Sequence, residues 1–335
     1  MRCAAIVILN FNGESMLRRF LPSVVEHSVH DLIVVDNGSD DGSLTFLRSH
    51  YPAVRIIQLA SNVGYSGGYN EGLAQLQGSY EFYLLLNSDM SVTPAWDLKM
   101  VDFLVEHPKM AVAQPKIRSI NQEGYFDYAG GAGGFLDSFG YPYCRGRILH
   151  TLEEDRGQYQ ESINLDWASG ACFCVRASCF HGFGGFDPMF FAHMEEIDLC
   201  WRLRSAGWEI GVNPEVAVFH LGGGTLRKSN PRKTYLNFRN SLFMLYKNLS
   251  CIAFIRVFVM RMVLDFGALI HIAFSNGLQH AWAIHKAYVH FLKNYRKLPT
   301  SPRNPAKFIS SKQAHVKSII LAYYLQRKTR FGDFD

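Results

Sequence analysis

Residues 31 to 43 read Asp-Leu-Ile-Val-Val-Asp-Asn-Gly-Ser-Asp-Asp-Gly-Ser. An apolar, β-branched run that stops on Asp36 and a cluster of turn-forming residues has the pattern of a strand covered on both faces, as in a parallel sheet. Upstream, residues 3–9 form a similar run, broken by Asn10-Phe11-Asn12-Gly13, and a helical pattern follows from Glu14 to about His27. Downstream, a helix is expected to about His50, a third strand over 54–59 and a fourth over 82–86, followed at once by Asn87-Ser88-Asp89. Strand and helix alternating at this cadence predict an α/β fold with a parallel sheet and right-handed crossovers. Ligands of such sheets bind beyond the carboxyl ends of the strands. The polar clusters at 10–12, 36–41 and 87–89 all fall there.

Four constellations suggest chemistry. Asp36 closes a strand, where it can serve simply as a turn former or accept from a base or a ribose hydroxyl. Asn62-x-Gly64-Tyr65-Ser66-Gly67-Gly68-Tyr69-Asn70-x-Gly72 fits neither a Walker loop nor the dinucleotide fingerprint. It reads as a glycine-rich loop leading into a helix, with room for close ligand approach and an anion at the helix start. Asp89 and His220 both close strands, so a divalent ion, Mg²⁺ or Mn²⁺, is expected between them with diphosphate oxygens completing its shell. The fourth is the stretch 181–207, where a glycine- and aromatic-rich loop enters Glu195, Glu196 and Asp198 at the start of a helix that Gly207 ends. Acids there complement the helix dipole on any surface. Beside the aromatic run Met189-Phe190-Phe191 they are also placed for carboxylate tuning.

The 335 residues are 48% hydrophobic and 19% charged, enough for a substantial core and too apolar for a disordered chain. Seven cysteines without a disulfide or zinc spacing predict a reduced, cytosolic protein, and Met1-Arg2 running directly into a strand predicts no signal peptide. Gly130 to Gly134 is open to two readings, a linker or a loop over the cleft. Composition shifts near Lys228. Residues 232–250 form an amphipathic helical pattern, and 252–274 is strongly apolar but interrupted by Arg256, Arg261 and Asp265. Helices lying in a membrane interface fit this best, with a spanning segment, a soluble appendage or a dimer face as the other readings. Lys286, Lys293, Arg296, Lys297, Arg303 and Lys307 suit anionic lipid heads. No nucleic-acid-binding motif accompanies that charge.

Five ordered motifs over roughly residues 3 to 225 resemble the inverting glycosyltransferases of family 2, with the GT-A fold, and in particular their rhamnosyltransferase-like bacterial branch. They are Val34-Val35-Asp36-Asn37-Gly38-Ser39 through Ser43, the Asn62–Gly72 pattern, Leu85-Leu86-Asn87-Ser88-Asp89, Gly184-Gly185-Phe186-Asp187 through Glu195-Glu196-x-Asp198-Leu199-x-x-Arg202, and His220 before a glycine turn. The resemblance implies a GT-A catalytic domain; with the shift in composition near Lys228 it is expected over 1–228, and the C-terminal helical extension over 229–335 is expected to be peripheral on the inner face of the plasma membrane. The resemblance also implies a nucleotide-diphosphate sugar donor, with rhamnose as the first sugar expected, and a lipid-linked or polysaccharide acceptor. Asn10, Asn12 and Asp36 would line the nucleotide, while Asn62, Gly64, Gly68, Asn70, Asn87 and Ser88 would lie near the diphosphate and donor sugar. Asp89 and His220 would hold the metal. Asn87 stands where the family's Asp-x-Asp motif begins, which leaves one carboxylate. Glu196 matches the catalytic base, Glu195 is the fallback, and Asp198 would orient the site or acceptor. Two other classes stay open at this point: a nucleotidyltransferase making a nucleotide-sugar, and a non-catalytic membrane-associated carbohydrate-binding protein.

Overall fold

A computed structural model of the chain describes residues 3–222, 230–298 and 316–334. The expected boundary at 228/229, the glycine turn from Gly223 onward, and Arg303 and Lys307 lie outside the described residues. The first half alternates as β1 (Ala4–Asn10), α1 (Glu14–His27), β2 (Asp31–Asp36), α2 (Ser43–His50), β3 (Arg55–Gln58), α3 (Gly64–Ala74) and β4 (Phe82–Asn87). β5 (Met90–Val92), α4 (Trp96–Glu106) and β6 (Met110–Ser119) follow. A separate four-stranded sheet is made by β7 (Gly134–Leu136), β8 (Pro142–Cys144), β9 (Arg147–Ile148) and β10 (Thr151–Leu152). The chain re-enters the main sheet as β11 (Cys172–Arg176), passes through α5 (Ala177–Gly182) into α6 (Glu195–Ser205), and returns as β12 (Glu209–His220). The remaining helices are α7 (Pro231–Asn248), α8 (Cys251–Ser275), α9 (Leu278–Asn294) and α10 (Ile319–Gln326).

The main sheet has eight strands in the order β3-β2-β1-β4-β11-β6-β12-β5. β3, β2, β1 and β4 are parallel, with Asn10 opposite Asp36 and Leu9 opposite Asn87. This register brings three polar strand ends to one rim. β11 runs antiparallel to β4 and β6, so the sheet is mixed. Asn87 and Met90 are three residues apart, a reach of at most roughly 11 Å. In a flat sheet the four places between β4 and β5 would span about 19 Å. The sheet therefore curls, and β5 carries Asp89 to the end of β12, where Met90 pairs with His220.

Alternate residues of β1 feed two cores. Ala5 and Val7 join Tyr69 and Leu73 of α3 on one face, while Ala4, Ile6 and Ile8 join Leu17 of α1 and Met100 of α4 on the other. Leu242, Phe243, Met244 and Leu245 of α7 are fully buried in the first of these cores.

Two glycine-rich stretches differ from expectation. In the 62–72 stretch the helix begins at Gly64, so most of the expected loop is helical. A Cβ on Gly68 would lie 2.7 Å from Leu9 Cδ1, and one on Gly72 would lie 2.5 Å from Val35 Cγ2. Those glycines let α3 lie directly on β1 and β2, and packing overrides their poor helix propensity. Gly130 to Gly134 is buried and is not a linker: Cβ atoms at Gly130 and Gly134 would strike Ser169 and Trp167.

Val35 is β-branched and fully buried, so it has no room to give way. Gly72→Ala should therefore cost about 1–3 kcal/mol of stability, although alanine ordinarily gains up to about 1 kcal/mol over glycine in a helix. Thermal unfolding followed by circular dichroism checks this; a Tm at or above the parent's would mean that α3 does not sit so close to Val35.

Candidate active site

The rim at the ends of β1 and β2 is tied across the strands by side chains. Asn10 Nδ2 donates to Asp36 Oδ1 (3.0 Å) and to Ser39 Oγ (3.2 Å), and the Ser39 amide donates to Asp36 Oδ2 (3.0 Å). Asn12, in the left-handed region at φ 48°, accepts the Asp40 amide at Oδ1 (2.9 Å). Asn10 and Asp36 are fully buried, and Asn10 Oδ1 has no partner within the fold. Asn87 and Ser88 are half-buried at the end of β4, on the same rim.

Asn62, Gly64 and Asn70 act as fasteners. Asn62 Oδ1 accepts the Gly64 amide (2.9 Å) and Asn37 Nδ2 (3.2 Å). Asn70 takes both backbone groups of Phe186, donating to its carbonyl at 2.6 Å and accepting its amide at 3.0 Å. Gly64 is left-handed at φ +81° and lies against Phe191, whose carbonyl accepts the Ser66 amide (3.2 Å). The amides at the start of α3, expected to face an anion, are thus committed to protein oxygens at Gly64 and Ser66. Gly68 faces the sheet.

Asp89 Oδ1 lies 3.2 Å from His220 Nε2, and Asp127 Oδ1 lies 2.8 Å from His220 Nδ1. All three are buried. Burial disfavours charge on the imidazole, but hydrogen bonds to Asp127 and Asp89, reinforced by their charge, raise His220 to about 9. A carboxylate on the far nitrogen is the arrangement that orients a metal-binding histidine. Among the described residues no three or more His, Cys, Asp and Glu form a group able to hold a metal. Asp89 and His220 Nε2 offer one oxygen and one nitrogen, which suits Mg²⁺ or Mn²⁺ when phosphate and water oxygens complete the shell.

α6 starts after a loop in which Phe191, His193 and Met194 have φ of 64°, 72° and 74°. Such backbone costs about 1–3 kcal/mol per non-glycine residue and persists only where its surroundings over-determine it. Glu195 is buried and Glu196 half-buried, and the Oε2 atom of each is shielded and without a partner. Burial, then the charge of Glu196, pushes Glu195 well above the carboxylate range. Burial also pushes Glu196 up to about 7, against the pull of backbone amides at the helix start and at Gly170. Burial thus raises both acids, Glu195 well above the carboxylate range with the neighbouring charge adding to the rise, and Glu196 to about 7. The Tyr65 hydroxyl donates to Gly170 O (2.7 Å), so α3 and α6 meet at this glycine, where a Cβ would lie 3.8 Å from Glu196 Cδ.

Asp198 is in a different environment. Burial would raise it, but Arg202 and Lys247 outweigh burial and hold it below its ordinary value. Its oxygens accept from Arg202 Nε (2.9 Å), Lys247 Nζ (3.0 Å) and Asn248 Nδ2 (2.8 Å). It anchors α6 to α7. Phe190, in the aromatic run before the acids, is fully buried under Lys247, whose Nζ lies 5.1 Å from the ring centroid. Asn37, Tyr65, Asp127, Lys247 and Asn248 join the site without having been expected there. Asn37 and Tyr65 lie inside motifs already quoted, whereas Asp127 sits in an irregular segment and the α7 residues read as part of a membrane-facing helix.

A family model described as glycosyl transferase family 2 matches residues 5–178 of the 335. N-acetylglucosaminyl-diphospho-decaprenol L-rhamnosyltransferase of Mycobacterium tuberculosis is 28% identical over 234 residues, 64% of this chain and 75% of that protein. Rhamnosyltransferase WbbL of Escherichia coli is 25% identical over 220 residues, 64% of this chain and 82% of that protein. Among solved structures, GalNAc-T7 with UDP, GalNAc and Mn²⁺ superposes with a TM-score of 0.54 at 18% identity; the match covers 65% of this chain and 43% of that one, and it shows the fold alone. The family model spans more than half of the chain, and the mixed, curled sheet with flanking helices agrees with it: the chain belongs to glycosyltransferase family 2, as an enzyme of the GT-A fold in the rhamnosyltransferase-like branch.

Proposed function

We propose that this glycosyltransferase works by inversion, moving rhamnose or another hexose from a nucleotide-diphosphate sugar to a lipid-linked or polysaccharide acceptor in cell-surface glycan synthesis. The observation that carries this reading is the Glu195–Glu196 pair at the start of α6, the Oε2 atom of each shielded and without a partner, with burial raising both acids. The rhamnosyl transfer named for the mycobacterial and E. coli relatives supports the sugar, and the diphospho-decaprenol in the first name supports a lipid-linked acceptor.

In this reading Glu196 takes the proton of the acceptor hydroxyl as its oxygen attacks the anomeric carbon. The new C–O bond forms on the face opposite the nucleoside diphosphate, whose bond to carbon breaks and keeps the electron pair. Asn10, Asn12 and Asp36 hold base and ribose, Asn10 Oδ1 being a buried acceptor that the fold leaves unpaired. Asn87 and Ser88 lie on the diphosphate side, and Asn62, Gly64, Gly68 and Asn70 shape that side by fixing α3. Asp89 and His220 would hold a divalent ion, Mg²⁺ or Mn²⁺, with Asp127 orienting the histidine. When bound, such an ion supplies positive charge beside the leaving diphosphate. The Mn²⁺ and UDP in the GalNAc-T7 structure support that donor and ion.

The same reading puts the enzyme in the cytoplasm, peripheral on the inner membrane face. α8 is long and apolar enough to cross a membrane. Its two buried residues, Arg261 and Asp265, are however committed to the protein: Arg261 donates to Ser241 Oγ (2.8 Å), and Asp265 accepts from Tyr141 (2.5 Å) and Tyr288 (2.6 Å). Ile255, Val263, Phe266 and Phe274 face outward. A helix docked by its ionic side and open on its apolar side suits the interface.

Three outcomes are expected. Glu196→Gln should abolish transfer while nucleotide binding by calorimetry persists, and in the parent kcat/KM should rise with pH through about 7, since the base works ionised. Full turnover in the variant, or an acid limb near the ordinary glutamate value of about 4.3, would sink the base assignment. EDTA should lower turnover and Mn²⁺ restore it, and Asp89→Ala should weaken Mn²⁺ binding measured by calorimetry; unchanged activity in both cases rules the metal out. Flotation with anionic liposomes should carry the parent but much less of Phe266→Glu/Phe274→Glu, and equal flotation would exclude this face.

A further inference from the structure

α7 grips the start of α6 from two sides. Asn240, fully buried, donates from Nδ2 toward three carbonyls, Phe190 O (2.9 Å), Ala192 O (2.8 Å) and His193 O (2.7 Å). An amide nitrogen carries two hydrogens, so three acceptors converge on a saturated donor. Arg239 donates from Nη2 to Met189 O (3.0 Å) and Phe190 O (2.8 Å), and its Nε donates to Asn240 Oδ1 (2.8 Å), which locks the two side chains together. Lys247 and Asn248, two helical turns further along the same face of α7, reach Asp198 in the first turn of α6.

The captured carbonyls belong to the loop in which Phe191, His193 and Met194 take left-handed backbone. Bonds to carbonyls fix a backbone path directly, which bonds to side chains do not. Leu242, Phe243, Met244 and Leu245 are fully buried as well, so apolar contacts hold α7 besides these bonds. Buried polar groups in a helix that apolar contacts already hold favour a role in geometry over one in bulk stability. The path they fix ends one residue before Glu195.

We propose that Arg239 and Asn240 are positioning residues for sugar transfer, holding the backbone of 190–194 so that the Glu196 carboxylate stands at the acceptor hydroxyl. The inference rests on Glu196 being the base. It assigns the helix after residue 230 a part in the chemistry as well as in the packing. Binding of the base and ribose should be largely spared, because the hydrogen bonds of that rim close among Asn10, Asn12, Asp36, Ser39 and Asp40; the diphosphate side meets the held loop only where Phe191 packs on Gly64 and accepts the Ser66 amide.

The test compares full-length Asn240→Leu, Arg239→Met and Arg239→Lys with the parent, using whichever of the UDP-, GDP- or dTDP-hexoses the parent consumes. In Asn240→Leu, kcat should fall about 100-fold, the size of loss that a misplacement of roughly 1 Å produces, while donor KM stays within about threefold. Binding of the matching nucleoside diphosphate by calorimetry should not change, and Arg239→Lys should recover part of what Arg239→Met loses. A folded Asn240→Leu with parental kcat, or with its loss confined to KM or to Tm, overturns the proposal. If Asn240→Leu does not fold, the Arg239→Met and Arg239→Lys pair carries the same test. Glu196→Gln alongside separates the two readings. Parental turnover there overturns the base assignment and the proposal with it, whereas an inactive Glu196→Gln beside a fully active Asn240→Leu overturns the proposal alone.

Discussion

Two adjacent glutamates are kept from water at the start of one helix, and the remaining features of the site can be derived from that constraint. A helix N-terminus by itself favours ionised acids, and backbone amides at Glu196 pull in that direction. Burial acts against it and prevails at both residues. An acid of ordinary pKa is a feeble base for a hydroxyl proton, and one shifted toward the working pH is a better match. Keeping the pair dry requires a rigid lining, which Tyr65, Gly170 and the 190–194 loop provide. The neighbouring Asp198 shows the alternative outcome of burial. With Arg202, Lys247 and Asn248 around it, still deeper burial leaves a stable anion that serves as an anchor.

The sheet supplies the other half of the site by register. Parallel pairing sets Asn10 opposite Asp36 and Leu9 opposite Asn87, so one rim collects the polar ends of three strands. The curl forced by the short connection from β4 to β5 carries Asp89 to His220. Asp127 then holds the far side of the imidazole. α3 joins the two halves: its glycines lie flat on β1 and β2, and its first turn bonds the loop that leads into α6.

Much of this was legible in the residues. The apolar runs 3–9, 31–35, 54–59 and 82–86 could be read as parallel strands because none alternates, and their abrupt polar ends marked the rim. The glycines of α3 were misread because glycine signals both close ligand approach and close helix packing, and only Val35 and Leu9 beneath them decide between the two. Asp127 lies in a segment without periodicity, so its pairing with His220 depends on the curl of the sheet. Arg239 and Lys247 read as basic residues of a membrane-facing helix, yet they point inward, toward backbone carbonyls and buried carboxylates that no side-chain pattern reveals. Arg261 and Asp265 read only as interruptions in an apolar run, and in the fold they are what docks α8.

The central claim is a single displacement driven by one ionised glutamate, with no covalent glycosyl-enzyme. The most direct measurement is the proton NMR spectrum of the glycoside first released into product, compared with that of the donor at the anomeric centre. The account predicts an inverted anomeric configuration from the earliest time point. Retention of configuration would mean that the acceptor oxygen does not attack opposite the leaving diphosphate in one step, and would contradict the account.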